Sequence, residues 1–183
     1  MTDHAPPERP HVTIRFSAAE IATRVEEMAV DLAAKLPADT LVVSVLKGSF
    51  VFAADLIRAL SRAGADWSMD FLTLSSYGKR TSTSGNVQIV RDIVDDVRGR
   101  DVLLVDDILE SGLTLSFAKT LLTERGAHRV WICTLLDKPH KRRVALEADF
   151  VGFRAGDEFV VGYGLDWAHR FRGLPYIGVV EKT

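Results

Sequence analysis

The sequence predicts an α/β protein with a central, mostly parallel sheet flanked by helices. Near-continuous apolar strands, such as residues 41–46 and 102–105, alternate with amphipathic segments through the middle of the chain. Strands that are buried on both faces appear as unbroken apolar runs, because crossover helices cover both sides of a parallel sheet. At 183 residues the chain fits one domain.

The N-terminal part begins with a polar, proline-bearing tail over residues 1–10, which we expect to be flexible, and a single domain follows over residues 11–183. Ser17 and Glu20 form a capping box, which predicts the start of a helix. Apolar residues recur at helical spacing until Pro37 ends this helix.

The remaining elements follow from apolar runs bounded by turn residues. The predicted strands are residues 11–16, 41–46, 67–74, 87–94, 102–105, 129–136, 150–153, 159–163 and 176–180. The predicted helices cover about residues 17–36, 49–62 and 112–125. Residues 75–86, rich in Ser, Thr, Gly and Lys, break the pattern. Within them, residues 77–86 are expected to form either a flexible hairpin or a mobile lid. Their length favours the lid.

Composition excludes several classes of protein. Lys and Arg total 23 against 25 Asp and Glu, so a general nucleic-acid binder is not expected. No run approaches a membrane span and the first residues lack a signal-peptide core, so we expect a cytoplasmic protein with no membrane partner. Cys133 lies in an apolar run and is expected to be a buried structural thiol. The histidines lack metal-ligand spacing, so zinc is not expected.

Residues 102–115 are the most informative segment. An apolar run leads to Asp106 and Asp107, Glu110 follows, and a Ser-Gly-Leu-Thr turn opens a helix. A helix N-terminus attracts anions, and acids beside an anion site imply a divalent cation or sugar hydroxyls. The alternative is an ordinary joint whose acids only cap the helix. The crowding of acids and hydroxyls favours a phosphorylated sugar held with Mg²⁺.

Two further joints carry cations. Lys47 and Gly48 form a turn that suits a diphosphate, although a solvent-facing lysine is the alternative. Lys138 follows another strand and can donate to a carbonyl group. Because ligands bind beyond the carboxyl ends of such strands, both lysines are expected to converge with the acid pair. The basic run at residues 141–143 is expected to be a solvated face.

The segment from Phe159 to Asp166 is less specific. Phe159 alone would be a core residue. Asp166 follows a glycine-flanked tyrosine, where irregular backbone would let a carboxylate meet a metal ion.

Together these motifs resemble the type I phosphoribosyltransferases, and among them the bacterial 6-oxopurine enzymes that use hypoxanthine. The resemblance covers about residues 10–182. It is carried by four ordered motifs, namely Val-Leu-Lys-Gly-Ser-Phe, Asp-Phe-Leu-x-Leu-Ser-Ser-Tyr-Gly, Val-Leu-Leu-Val-Asp-Asp-Ile-Leu-Glu-Ser-Gly-Leu-Thr-Leu, and Phe-Val-Val-Gly-Tyr-Gly-Leu-Asp-Trp with the following Arg-Phe-Arg and Leu-Pro-Tyr-Ile-Gly. It implies the type I phosphoribosyltransferase fold with a small hood, to which residues 150–183 contribute.

The resemblance also implies purine salvage: transfer of the 5-phosphoribosyl group from 5-phosphoribosyl-1-diphosphate (PRPP) to hypoxanthine, or also guanine, with Mg²⁺ as cofactor. The implied PRPP contacts are the acid pair Asp106 and Asp107 at the ribose and metal, Ser111, Gly112, Leu113 and Thr114 at the 5-phosphate, and Lys47, Gly48 and Arg172 at the diphosphate. The implied purine contacts are Glu110 as proton acceptor near N7, Lys138 at the 6-oxo group, Phe159, Val160, and Asp166, which is also a metal-site acid. Ser76 and Tyr77 correspond to the start of the lid.

The chain departs from the family pattern at two acids. The family usually has Glu where this chain has Asp106, and Asp where it has Glu110; we expect activity to survive both changes. The alternative functions are a xanthine–guanine enzyme and a non-catalytic regulator that senses PRPP. Balanced charge, no spare length and an acid at position 110 favour the enzyme. Because members of the family are commonly dimers or tetramers, the resemblance further implies a homodimer or homotetramer.

Overall fold

The computed structural model of the protein describes residues 10–77 and 86–181. Over these residues the strands are β1 (Val12–Phe16), β2 (Leu41–Leu46), β3 (Met69–Tyr77), β4 (Asn86–Arg91), β5 (Asp101–Leu109), β6 (Arg129–Asp137), β7 (Phe150–Arg154), β8 (Val160–Val161) and β9 (Ile177–Val180). The helices are α1 (Ala18–Lys35), α2 (Phe50–Arg62) and α3 (Leu113–Glu124), with one 3₁₀ turn at Pro139–Lys141. The expected tail lies outside the described residues except for Pro10.

Helix α1 begins and ends as its sequence predicts. The Ser17 hydroxyl accepts a hydrogen bond from the Glu20 N–H at 3.3 Å, and the Glu20 carboxylate accepts one from the Ser17 N–H at 2.8 Å. These reciprocal bonds satisfy two N–H groups that have no partner inside the helix. The last turn closes with Leu36 N–H donating to the Leu32 carbonyl, just before Pro37.

The central sheet has the strand order β4-β3-β2-β5-β6-β7. All its neighbouring pairs are parallel except β3 with β4, which confirms the predicted fold class. Alternation along β5 divides the core: Leu103 and Val105 pack with α1 and α2, whereas Val102 and Leu104 pack with α3. The unbroken apolar pattern of β5 therefore reflects burial on both faces.

The prediction that the acid pair follows a strand was wrong. Asp106 and Asp107 lie within β5, which continues to Leu109. The ladder between β2 and β5 stops at Val105, but β6 goes on supplying parallel partners as far as Leu109 opposite Asp137. The pairing with β6 therefore carries the strand past the acids.

Strand β3 is also longer than predicted. It runs to Tyr77 instead of ending at residue 74, because β4 pairs with it in antiparallel register from Ser75 opposite Gln88 to Tyr77 opposite Asn86. The backbones of Ser76 and Tyr77 are therefore strand backbone. Most of the expected lid, residues 78–85, lies outside the described residues.

A three-stranded antiparallel sheet with the order β1-β9-β8 forms the hood. Strand β9 lies in its centre, with Val180 opposite Val12 of β1 and Val179 opposite Val160 of β8. The hood thus combines the first strand of the domain with its C-terminal part.

Two other expectations concern the thiol and the membrane. Cys133 is fully buried in β6, and this burial raises the pKa of its thiol, so the group stays protonated at neutral pH. Across residues 10–77 and 86–181, helices long and apolar enough to cross a membrane are absent.

Candidate active site

The candidate site lies at the point in the central sheet where the strand order reverses, between β2 and β5. From β2 the chain adds β3 on one side, and from β5 it adds β6 and β7 on the other. Open α/β sheets bind ligands beyond the carboxyl ends of the strands at such a switch point. Here β2 ends at Leu46 and leads into Lys47 and Gly48, next to Asp106 and Asp107 on β5.

Glycines let three segments meet at this point. Gly48 lies so close to Asp107 that a methyl group on Gly48 would overlap the Asp107 carboxylate. A methyl group on Gly164, whose φ is +101°, would overlap the Gly48 carbonyl oxygen from the hood side. The Leu46–Lys47 peptide bond is cis.

The acid pair is nearly inaccessible to solvent. Asp106 and Asp107 are each 8% exposed, and the Asp107 N–H donates to the Asp106 carboxylate at 2.9 Å. Burial raises the pKa of Asp106, and the neighbouring Asp107 carboxylate raises it further. Burial also raises the pKa of Asp107, while hydrogen bonds and the positive charge of Arg172 oppose this shift. A cation bound between these two buried acids would be stabilised by the negative charge of their carboxylates.

The start of α3 forms an open cradle next to the acids. Its N-cap residue, Gly112, has φ +81° and carries no side chain, and the Leu113 N–H donates to the Ser111 hydroxyl at 3.3 Å. The N–H groups of a first helical turn attract anions. The cradle is a cavity of about 240 Å³ lined by Asp106, Asp107, Ile108, Leu109, Glu110, Ser111, Gly112, Thr114 and Leu115.

A second cavity adjoins the first and opens toward the hood. Its volume is about 260 Å³, and Asp107, Ile108 and Glu110 line both cavities. The second cavity is lined by Gly48, Asp107, Ile108, Glu110, Lys138, Phe159, Val160, Leu165, Asp166 and Arg172. Acids from β5 and its loop therefore lie between an anion cradle and a pocket with a cation and an aromatic ring.

Lys138 is the buried cation of the second cavity. Its side chain is 3% exposed, and Nζ donates to the Glu158 carbonyl at 2.7 Å and lies 3.8 Å from the Glu110 carboxylate. Burial lowers the pKa of Lys138, which the nearby acids partly offset. Phe159, next to Glu158, is half exposed, contrary to a core position, so its ring is available to a ligand.

Arg172 is bonded to the loop that carries Asp166. It donates to the Gly164 carbonyl at 2.6 Å and lies 2.7 Å from Asp166. Asp166 also accepts a hydrogen bond from the His169 N–H at 2.7 Å. The carboxylate of Asp166 is therefore held in place by its own loop.

Known proteins provide an independent comparison. A sequence model described as "Phosphoribosyl transferase domain" matches residues 17–167. The chain belongs to the phosphoribosyl transferase family. It is 46% identical over 172 residues to a hypoxanthine-guanine phosphoribosyltransferase of Bacillus subtilis, covering 93% of each chain. It is 44% identical over 172 residues to a hypoxanthine phosphoribosyltransferase of Escherichia coli, covering 92% of this chain and 95% of the relative.

A solved structure extends the similarity to three dimensions. It is a hypoxanthine-guanine phosphoribosyltransferase from Bacillus anthracis with a HEPES molecule in its active site. Its TM-score is 0.88 at 41% identity, and the match covers 94% of this chain and 100% of that one. The type I phosphoribosyltransferase fold that the motifs implied is therefore confirmed.

In this phosphoribosyltransferase, most of the predicted site residues line the two cavities. Lys47 is solvent-exposed at the end of β2, and Leu113 is half-buried in the first turn of α3. For Ser76 and Tyr77 the structure describes the backbone alone, at the end of β3.

The basic run after Lys138 is solvent-exposed only at Arg143, so the prediction of a solvated face was wrong for Lys141 and Arg142. Arg142 donates to the carbonyl oxygens of Leu109 at 2.5 Å, Glu110 at 2.7 Å and Lys138 at 3.2 Å. It also forms a partly buried salt bridge with Asp137. Arg142 thereby joins the two loops that carry Glu110 and Lys138. The sequence held one signal, since Asp137 closely precedes the run. However, neighbouring residues alone do not distinguish a partly buried, multiply bonded arginine from a surface charge.

Proposed function

We propose that this phosphoribosyltransferase transfers the 5-phosphoribosyl group from PRPP to hypoxanthine, forming IMP and diphosphate in purine salvage. The observation that carries the proposal is the pair of adjoining cavities separated by Asp107, Ile108 and Glu110. An anion cradle beside a pocket with a buried lysine and an exposed ring suits a phosphorylated sugar next to a 6-oxopurine. The relatives named for hypoxanthine support this choice.

The cradle is proposed to hold the 5-phosphate. Backbone N–H groups at the start of α3 and the hydroxyls of Ser111 and Thr114 supply donors that match phosphate oxygens. Asp106 and Asp107 then accept hydrogen bonds from the ribose 2- and 3-hydroxyls. Fixing the sugar at both ends limits its motion, which lowers the entropic part of the barrier.

The second cavity is proposed to hold the purine. Phe159 stacks on the ring, Val160 meets its edge, and Lys138 donates to the 6-oxo group. Glu110 accepts the proton from N7 as the new bond forms, a role that typically contributes about 10²–10⁴-fold. Adenine should be rejected, because its exocyclic amino group cannot accept the lysine hydrogen bond in the same way.

Departure of the diphosphate leaves cationic character on the ribose and a concentrated negative charge on the leaving group. Lys47 and Arg172 are the cations of this chain proposed to meet that charge, and Gly48 gives its backbone close access. A lid that begins at Ser76 and Tyr77 is proposed to exclude water from the reacting carbon.

The acid pair fits Mg²⁺. Asp106 and Asp107 provide hard oxygen donors side by side, and burial raises the pKa of both carboxyl groups, which a bound cation would oppose. Among the described residues, three or more acidic, His or Cys side chains do not gather into a metal cluster. We therefore propose that Asp106, Asp107 and Asp166 each supply at most one contact to Mg²⁺, and that substrate phosphates and water provide the rest of its coordination. When bound, Mg²⁺ would stabilise the charge of the diphosphate.

The test is a substrate panel. Purified protein is incubated with PRPP, Mg²⁺ and hypoxanthine, guanine, xanthine or adenine, and nucleotide products are separated by chromatography. We expect IMP from hypoxanthine and little AMP. A preference for xanthine and guanine would support the xanthine–guanine alternative. If no purine gives a nucleotide while PRPP still binds in calorimetry, the chain is a PRPP-sensing regulator and the proposal is wrong.

We also propose a cytoplasmic homodimer or homotetramer. Members of the family are commonly dimers or tetramers, which supports this assembly. Sedimentation equilibrium of the purified protein tests it, and a monomer at micromolar concentration would contradict it.

A further inference from the structure

Two loops of the site are fastened together along three consecutive carbonyl groups. The Lys138 N–H donates to the Leu109 carbonyl at 3.0 Å, and the Arg143 N–H donates to the Ser111 carbonyl at 2.9 Å. Between them, the Arg142 guanidinium donates to the Glu110 carbonyl at 2.7 Å. The backbone around Glu110 is therefore tied to the loop that follows β6 on both sides and at its centre.

This fastening brings Lys141 against the Glu110 side chain. The Lys141 Nζ atom lies 2.9 Å from Glu110 Oε1, closer than Lys138 Nζ at 3.8 Å. The hydrogen bond with Glu110 raises the pKa of Lys141, so this lysine is fully charged at neutral pH. The sequence placed Lys141 in a solvated run, whereas the structure places it at the proposed proton acceptor.

A glutamate at this position needs such support. Glu110 is 44% exposed and has one more rotatable bond than an aspartate, so ordering its carboxylate costs more conformational entropy. The backbone ties fix its Cα but not its carboxylate. An ammonium group in direct contact with Oε1 restricts the carboxylate to one region of the cavity.

We propose that Lys141 is a positioning residue for Glu110 in the phosphoribosyl transfer. This inference rests on the proposed function, because Glu110 must act as the N7 proton acceptor. Lys141 does not touch the purine in this proposal. It restrains the Glu110 carboxylate, which stands on a longer side chain than that of an aspartate. Its contribution therefore depends on residue 110 being a glutamate.

The first test compares the wild-type protein with Lys141→Met, Lys141→Arg and a matched control. In Lys35→Met, the control, a lysine that pairs with Asp31 at 2.6 Å on α1 is removed far from the cavities. We expect Lys141→Met to lower kcat with hypoxanthine about two- to fivefold, the range of a half-exposed ion pair, with the KM for PRPP unchanged. Lys141→Arg should retain kcat, and Lys35→Met should match the wild type.

Salt provides a readout that a purely structural role would not move. The difference in kcat between the wild type and Lys141→Met should shrink toward about 1 M salt, where the Debye length is about 3 Å. An unchanged kcat in Lys141→Met, with an active wild type, would overturn the inference. A raised kcat would overturn it too, because Lys141 would then be withholding the carboxylate from the purine.

The second test repeats Lys141→Met in a Glu110→Asp background. The shorter arm moves the carboxylate away from Lys141, so the effect of removing the lysine should fall below twofold. An equal effect in both backgrounds would show that Lys141 acts on something other than the longer arm. An inactive wild type would instead count against the proposed function, which keeps the two failures distinct.

Discussion

The Gly48 backbone lies directly against the Asp107 carboxylate, with no room for a side chain between them. The relationship connects the end of β2 with β5 at the switch point of the sheet. A methyl group on Gly48 must displace a buried acid that is proposed to meet the ribose.

We therefore predict that Gly48→Ala lowers kcat/KM for PRPP by about 5- to 100-fold, because overpacking typically costs about 1–3 kcal/mol and here the strained group is a proposed substrate contact. Gly173→Ala is the control, because a methyl group there meets open space. Steady-state kinetics with varied PRPP measures the effect, and thermal unfolding checks that both variants fold. Equal kinetics for the two variants would show that the Gly48 approach is unimportant.

A second prediction concerns Gly112, the N-cap residue of α3. Its φ of +81° is costly for a residue with a side chain, and a methyl group would lie 2.8 Å from the Val144 side chain. Gly112→Ala should lower the free energy of unfolding by about 1–2 kcal/mol and raise the KM for PRPP severalfold. Gly64→Ala is the matched control, because Gly64 has φ +88° in open space. It should lose less stability, because only backbone strain acts there, and keep the wild-type KM.

A third prediction concerns Arg142. Arg142→Met leaves the Asp137 carboxylate, which is 11% exposed, without its salt bridge, so the free energy of unfolding should fall by about 2–3 kcal/mol. The kcat should fall as well, because the backbones of Glu110 and Lys138 lose their shared donor. Urea unfolding and steady-state kinetics measure the two effects. Arg143→Met, which removes an exposed neighbouring charge, should change neither; a loss of equal size there would contradict the assignment.

The fourth prediction is a pH dependence. Because burial lowers the pKa of Lys138 below its usual 10.5, this lysine should lose its charge at a lower pH than an exposed lysine. The kcat/KM for hypoxanthine should therefore fall as the pH rises through that lowered pKa. In Lys138→Arg the guanidinium stays charged throughout. The ratio of wild-type to variant kcat/KM should fall toward alkaline pH; ionisation of the purine is common to both enzymes and cancels. A constant ratio would be contrary to this role.

Local patterns were enough for much of the fold and the site. The capping box of α1, the bounds of β2 and the acid-rich motif each depend on residues a few positions apart, where sequence spacing maps directly onto geometry. The turn around Gly112 likewise follows from neighbouring residues. Even the convergence of Lys138 with the acid pair followed from a general rule on parallel strands.

Features that depend on a partner elsewhere in the chain were decided by the tertiary structure. Strands β3 and β5 extend beyond their apolar runs because β4 and β6 supply hydrogen-bonding partners. Strand β1 joins the hood by pairing with β9, more than a hundred residues away.

The sequence by itself determined which chemical groups this protein carries and near which strand ends they lie. The tertiary structure decided which of them became buried, and burial sets the cost of an unpaired charge. Lys141 and Arg142 are adjacent cations in the sequence. Arg142 is partly buried and bonded to several carbonyl groups and to Asp137, whereas Lys141 forms an ion pair with Glu110. That difference arises from the carbonyls and carboxylates that the fold brings to each side chain, which residue spacing along the chain does not encode.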